Sequence, residues 1–135
     1  MFGKSLLLDM YDCKYGVCDN MEVHYRFLER LVIEIDMTPM SPPHVIHAPS
    51  SFIVNEDDGT LIRVETFADK AGISAWQALV ESGIQIHSIE PTRFSSLDLY
   101  TCGELDVDKI LSITKECFEY DSFDLQIIDR GIHYN

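Results

Sequence analysis

Residues 72–103 read GISAWQALVESGIQIHSIEPTRFSSLDLYTCG, and the folding of this stretch decides the architecture of the chain. Ile84 to Ile89 and Ser96 to Cys102 each alternate around a loop at Glu90 to Ser95, the signature of two strands paired as a hairpin. Ile73 to Ser82 is ambiguous on its own. Ser74 is placed to cap a helix through Ala75, Trp76, Ala78, Leu79 and Val80, and helix propensity favours that reading. The hairpin returns Cys102 to a place across from about Ile84 or Gln85, near Ser82. If Gln85 faces Cys102, then Gln85, His87, Asp98, Tyr100 and Cys102 share one face. A slip of one residue turns His87 toward Leu97 and Leu99 instead. Ser82 and His87 are five residues apart, so an ideal strand points them to opposite sides. A turn or bulge near Gly83 is the expected device for bringing them together.

Outward from this segment, Lys4 to Tyr11 reads as a strand buried largely on both faces. Asp19, with Glu22 three residues on, offers a capping box for a helix carrying Met21, Tyr25, Leu28, Leu31, Val32 and Ile35 to about Asp36. Pro39, Pro42 and Pro43 stop that helix. Ser51 to Val54 and Thr60 to Phe67 flank a turn ending in Asp58-Gly59 and read as a second hairpin. Asp106 caps a second helix bearing Val107, Ile110, Leu111, Thr114, Cys117 and Phe118, and Phe123, Leu125 and Ile127 mark a closing strand. Strand, helix, several strands, helix, strand is the order of an α+β two-layer sandwich, with a mainly antiparallel sheet and the helices on one face. Residues 1–135 show no repeat, low-complexity segment or linker, so one domain is expected.

Composition narrows the function classes. Lys plus Arg number 10 against 23 Asp plus Glu, a net charge of −13, which excludes the basic footprint of a nucleic-acid or anionic-membrane binder. The charge suits a cationic ligand. No apolar run has the length of a membrane span, and MFGKSLLLDMYD acquires acid too soon for a signal peptide. A cytoplasmic enzyme or binding domain is the expectation. The four cysteines include no CxxC, and apart from His44 and His47 nothing resembles a ligand cluster, so neither a disulfide framework nor a metal site is expected.

Within the central segment, Glu81-Ser82, His87 and Cys102 are the residues able to carry chemistry. Taken singly, each has an ordinary explanation. A serine at a strand start caps or turns the backbone, a histidine in a strand is a hydrogen-bonded core or edge residue, and Cys102 is a small hydrophobe. A Cys–His nucleophile pair is an equally fair reading of the trio.

The spacing nevertheless resembles the S-adenosylmethionine decarboxylase family of the bacterial and archaeal type. Its proenzymes carry E-S-H-L-T-I-H-T at a cleavage site, then an acidic residue near a proline, then a D-[LIV]-[FY]-T-C-G strand. The corresponding residues are Glu81-Ser82-Gly83-Ile84-Gln85-Ile86-His87-Ser88, Glu90-Pro91 and Asp98-Leu99-Tyr100-Thr101-Cys102-Gly103. Ser74, in Gly72-Ile73-Ser74-Ala75, matches the active-site serine of the family's G-V-S-G. The resemblance implies a strand, rather than a helix, over Ser74 to Ser82.

The resemblance further implies a cofactor made from the chain itself. Ser82 attacks the Glu81 carbonyl, and the chain breaks between Glu81 and Ser82. A pyruvoyl group remains at residue 82, whose carbonyl forms a Schiff base with the substrate amine and accepts the electron pair released with carbon dioxide. His87 assists processing, Cys102 reprotonates the α-carbon as general acid, and Ser74 positions the ester intermediate. Phe67, near the family's adenine-stacking aromatic if one insertion is allowed, is placed to stack on a base or sulfonium. The expected product is a homodimer of processed protomers acting on S-adenosylmethionine in polyamine (spermidine) synthesis. Several features depart from the family pattern. Gly83 replaces a histidine, Ala75 replaces a glycine, and residues from about Pro42 to Asp58 form an insertion. Glu90 is the candidate for the family's substrate-binding (ribose) glutamate, although it precedes Pro91 where the family's glutamate follows its proline. These departures keep two alternatives open: a pyruvoyl-dependent arginine or ornithine decarboxylase, and an unprocessed, non-catalytic homologue with a binding or regulatory role.

Overall fold

In a computed structural model, which describes residues 1–48, 51–54, 57–58, 61–65 and 68–135, eight strands and two α-helices follow one another in the chain. They are β1 (Gly3–Tyr11), α1 (Met21–Glu34), β2 (His44–Ala48), β3 (Ser51–Val54), β4 (Leu61–Glu65), β5 (Gly72–Leu79), β6 (Ser82–Ile89), β7 (Phe94–Thr101), α2 (Val107–Phe118) and β8 (Ser122–Arg130). Six strands form one sheet in the order β2-β5-β6-β7-β1-β8, and every pairing is antiparallel. β3 and β4 pair separately. This is the expected α+β sandwich.

Alternation along the strands divides the sheet into two unlike faces. Leu6, Leu8 and Met10 of β1, Ile84 and Ile86 of β6, and Leu97 and Leu99 of β7 are buried beneath the helices. Phe27, Leu28, Leu31 and Val32 of α1 and Ile110, Ile113 and Phe118 of α2 complete that core. Phe118 meets both Phe27 and His24 edge-on, with ring centroids 5.0 and 5.3 Å apart. His24 is fully buried, its Nδ1 2.8 Å from the Asn20 carbonyl and its Nε2 2.6 Å from Ser88 Oγ. Burial pushes this imidazole down to about 4, so it is neutral near pH 7.

The ambiguous segment folds as β5. Its alternation buries Ile73, Ala75, Gln77 and Leu79 and leaves Trp76 and Ala78 exposed, a period of two that no helix could satisfy here. Burial between β2 and β6 thus overrides the local helical preference. At α1, the cap is Asn20 rather than Asp19: Asn20 Oδ1 accepts the Val23 N–H at 3.1 Å. Asp19 ends a short 3-10 turn, and its Oδ1 lies 2.6 Å from His47 Nε2 on β2. The face that α1 buries is set by Phe27 and His24 as well as the leucines, while Met21 and Tyr25 are exposed. At α2, Asp106 caps as expected, its Oδ1 accepting the Lys109 N–H at 3.1 Å.

Candidate active site

The strand β6 begins at Ser82 and carries His87 further along. Val80 and Glu81 form the tight turn from β5, with Leu79 paired to Ser82. Three hydrogen bonds clamp this turn. Met40 N–H donates to the Ala78 carbonyl and Val80 N–H to the Thr38 carbonyl, both at 2.9 Å, and Cys102 N–H donates to the Glu81 carbonyl at 3.0 Å. The Glu81 carboxylate is held as well, accepting the Thr38 N–H at 2.8 Å and the Thr38 hydroxyl at 3.1 Å. The Thr38 backbone N–H lowers its pKa, favouring the charged form. Ser82 has φ +151°, a backbone conformation sparsely populated by residues with a Cβ.

The β6–β7 register differs from the expected one. Gln85 pairs with Asp98, His87 with Ser96 and Ser82 with Thr101, which sets Cys102 across from Glu81 rather than Ile84 or Gln85. The cause is the connection. Arg93, at φ +52°, closes a tight turn in which its N–H donates to the Glu90 carbonyl at 3.0 Å, bringing Phe94 directly opposite Ile89. Because the displacement is an even number of residues, Gln85, His87, Asp98 and Tyr100 still share the face opposite the helices.

No bulge interrupts β6 at Gly83, where Ala78 pairs regularly. Ser82 and His87 therefore do not meet within one protomer. Five residues of strand separate them by roughly 16 Å. His87 instead pairs with Ser74 on β5, with Ser74 Oγ 2.9 Å from Nδ1. The structure thus separates the expected residues into two groups along β6: Glu81, Ser82 and Cys102 at one end, and His87 with Ser74 of β5 further along. Glu90 belongs to neither. Its Oε1 accepts the Gly16 N–H at 2.6 Å at the far end of β6. Phe67 lies outside the described residues.

On the helix-free face, a groove of about 560 Å3 runs beside Ser82. Gly83 and Ala78 form part of its lining, with Trp76 on β5 and Tyr100 on β7. The Arg130 guanidinium lies 4.5 Å from the Tyr100 ring centroid and donates to Ser5 Oγ at 2.8 Å. Thr38 and Trp76 adjoin the site without having been singled out in the sequence. Thr38 precedes Glu81 by 43 residues, so no local pattern joins them. Trp76 is exposed on the helix-free face as the alternation of β5 dictates, a placement visible only once the strand is assigned.

Comparison with known proteins sets the fold beside solved structures and places the chain in a family. The structure superposes on the crystal structure of the adenosylmethionine decarboxylase from Aquifex aeolicus with a TM-score of 0.70 at 21% identity, covering 97% of this chain and 92% of that one. That similarity establishes the fold. A family model described as S-adenosylmethionine decarboxylase matches residues 4–131, and the chain belongs to this family. Two proteins named S-adenosylmethionine decarboxylase proenzyme, from Methanococcus aeolicus and Clostridium botulinum (strain Loch Maree / Type A3), are each 25% identical over 131 residues. The match covers 96% of this chain in both cases, and 93% and 94% of those proteins respectively.

Proposed function

We propose that this chain is a self-processing, pyruvoyl-dependent decarboxylase of S-adenosylmethionine serving polyamine synthesis. The observation that carries the reading is the Cys102 N–H donating to the Glu81 carbonyl at 3.0 Å, directly before a serine of strained backbone. A carbonyl already held by an amide donor is prepared for the negative charge that attack would place on its oxygen. The strain at Ser82 raises the energy of the unbroken peptide by an amount on the order of 1–3 kcal/mol.

Ser82 Oγ attacks the Glu81 carbonyl carbon; the Oγ–C bond forms, the C–N bond to Ser82 breaks, and the hydroxyl proton passes to the amine. Loss of the Ser82 Cα proton then expels Glu81 as a carboxylate with cleavage of the Cβ–Oγ bond. Water adds to the resulting residue and ammonia leaves. The residues present fit the group so formed, because Gly83 beside it carries no side chain and the Cys102 amide faces the severed position. The pyruvoyl group supplies an electron sink for decarboxylation. Cys102, exposed next to the cleavage turn, delivers a proton to the substrate α-carbon.

Ser74 and His87 enter through a second copy of the chain. The helix-free sheet face carries Leu7, Trp76, Tyr100 and Ile128, with Ile128 44% exposed. A two-fold pairing across that face can bring one protomer's Ser74–His87 pair to the partner's Ser82. His87 then serves processing in trans.

Intact-mass measurement tests the reading. Wild-type protein is expected as two pieces, residues 1–81 and 82–135, and Ser82→Ala as one species of 15.4 kDa. Release of labelled carbon dioxide is expected from S-adenosylmethionine and not from arginine or ornithine. Cys102→Ala is expected to cleave but to turn over poorly. A wild-type chain that stays whole and releases no carbon dioxide overturns the proposal in favour of a non-catalytic homologue; release from arginine or ornithine alone overturns the substrate.

A further inference from the structure

Every polar group of Thr38 is spent on the turn that precedes Ser82. Its N–H and hydroxyl donate to the Glu81 carboxylate at 2.8 and 3.1 Å, and its carbonyl accepts the Val80 N–H at 2.9 Å. Thr38 is exposed, so core packing does not account for this attachment. Pro39 bridges to Leu79, and Met40 N–H donates to the Ala78 carbonyl at 2.9 Å, which extends the contact along β5. The segment is fixed at its other end too. Met37 is buried, and its N–H donates to the Val32 carbonyl of α1 at 3.0 Å, just past Asp36 at φ +60°. Residues 37–40 thus form a strut from the end of α1 to the turn.

Glu81 is therefore held twice. Thr38 takes its carboxylate, and the Cys102 N–H takes its carbonyl at 3.0 Å. The double hold bears on Ser82, whose φ of +151° is strained for a residue with a Cβ. Planar peptides leave the backbone only its φ and ψ rotations. The simplest relief of the strain turns the 81–82 peptide plane, by opposed rotations at ψ of Glu81 and φ of Ser82. That same rotation carries the Glu81 carbonyl away from the Cys102 amide. With its carboxylate and the Val80 N–H both pinned to Thr38, Glu81 has little room to follow such a turn.

Building on the decarboxylase reading, we infer that Thr38 is a positioning residue for self-cleavage: acting through Glu81, it keeps the scissile carbonyl on the Cys102 amide and the Ser82 backbone in its strained form. Thr38 bonds to none of the reacting atoms. Its clamp lies wholly within residues 1–81, so cleavage leaves it intact, and decarboxylation by the finished pyruvoyl group does not draw on it.

Pulse-chase mass measurement of newly made chains tests the inference. Thr38→Val, which removes the hydroxyl and keeps the branched shape, is expected to slow cleavage roughly fivefold, and Thr38→Ser to restore the wild-type rate. Glu81→Ala combined with Thr38→Val is expected to cleave no more slowly than Glu81→Ala alone, because residue 38 then has no carboxylate to act through. Once cleaved, Thr38→Val is expected to keep the wild-type kcat and KM per pyruvoyl group. A wild-type cleavage rate in Thr38→Val, or slowing that multiplies in the double variant, overturns the inference. A second measurement is independent of cleavage. In the uncleavable Ser82→Ala chain, Thr38→Val is expected to speed hydrogen exchange of the Cys102 amide several-fold and to leave that of Ile86 unchanged. An unmoved Cys102 amide also overturns the inference. If the wild-type chain never cleaves, the decarboxylase reading fails and the role in cleavage falls with it, whereas the exchange result still decides whether Thr38 holds the carbonyl.

Discussion

Replacing His24 should remove a defined pH dependence from the stability of this fold. The imidazole is fully buried beneath α1, bounded by the Phe118 ring, the Asn20 carbonyl and Ser88. Burial lowers its pKa from 6.5 to about 4. In the unfolded chain the same group takes up a proton at about 6.5. Between those values the unfolded state binds more protons than the folded one, so stability falls as pH falls. The contribution is fully present above pH 6.5 and is lost down to about pH 4, where both states are protonated. A shift of about 2.5 units corresponds to a total of about 3 kcal/mol, of which about 2 kcal/mol is lost between pH 7 and 5. Urea unfolding at the two pH values reads this directly, as a midpoint roughly 1 M lower at pH 5 for the wild type. His24→Gln lowers stability at both pH values but should lose most of that difference. If the variant shows the same pH-dependent midpoint shift as the wild type, His24 is not the group responsible, and the burial argument fails.

Other expectations follow from the site and the core. Co-expression of Ser82→Ala with His87→Ala, each inactive alone, should restore roughly a quarter of wild-type turnover, because random two-fold pairing gives hybrids with one intact composite site; no recovery would place all the machinery within one protomer. Glu81→Ala removes the carboxylate that Thr38 holds at 2.8 and 3.1 Å, and pulse-chase mass measurement should find cleavage slowed about tenfold. Phe118→Ala, which leaves a void against both Phe27 and His24, should cost about 3–5 kcal/mol in denaturant unfolding. Asn20→Ala should cost about 1 kcal/mol as the loss of a helix cap, whereas Asp19→Ala should cost less, since its partner is the partly exposed His47.

Much of the layer structure was legible in residue order. The alternation of Leu6, Leu8 and Met10, of Ile84 and Ile86, and of Leu97 and Leu99 assigned three strands and their buried face, because a pleat exposes every second side chain to the same surroundings. Asp106 was readable as a cap, since its partner is three residues away. Asn20 was not separable from its neighbour Asp19: both are good caps, and the fold chose between them when His47 on a distant strand engaged the aspartate. Ile73 to Leu79 carried a helical preference that could be resolved only by its neighbours in the sheet.

The motif around Ser82 behaves in the same way. Residue types alone left the grouping of Glu81-Ser82, His87 and Cys102 open, and it was the resemblance of their spacing to a known family that singled out the family. Distance along a strand, however, is rigid. Once β6 runs straight from Ser82 to Ile89 without a bulge, His87 stays five residues away from the serine and bonds to Ser74 instead. The tight turn at Arg93 set the register that brings the Cys102 amide to the Glu81 carbonyl. The charge of −13 and the alternating strands are sums and periods over neighbouring residues, so sequence suffices for them. The hydrogen bond at the Glu81–Ser82 turn, the Thr38 clamp and the Trp76–His44 stack join residues from 21 to 43 positions apart. Only the tertiary structure could decide them, because side chains that far apart become neighbours only through the paths taken by the intervening strands and turns.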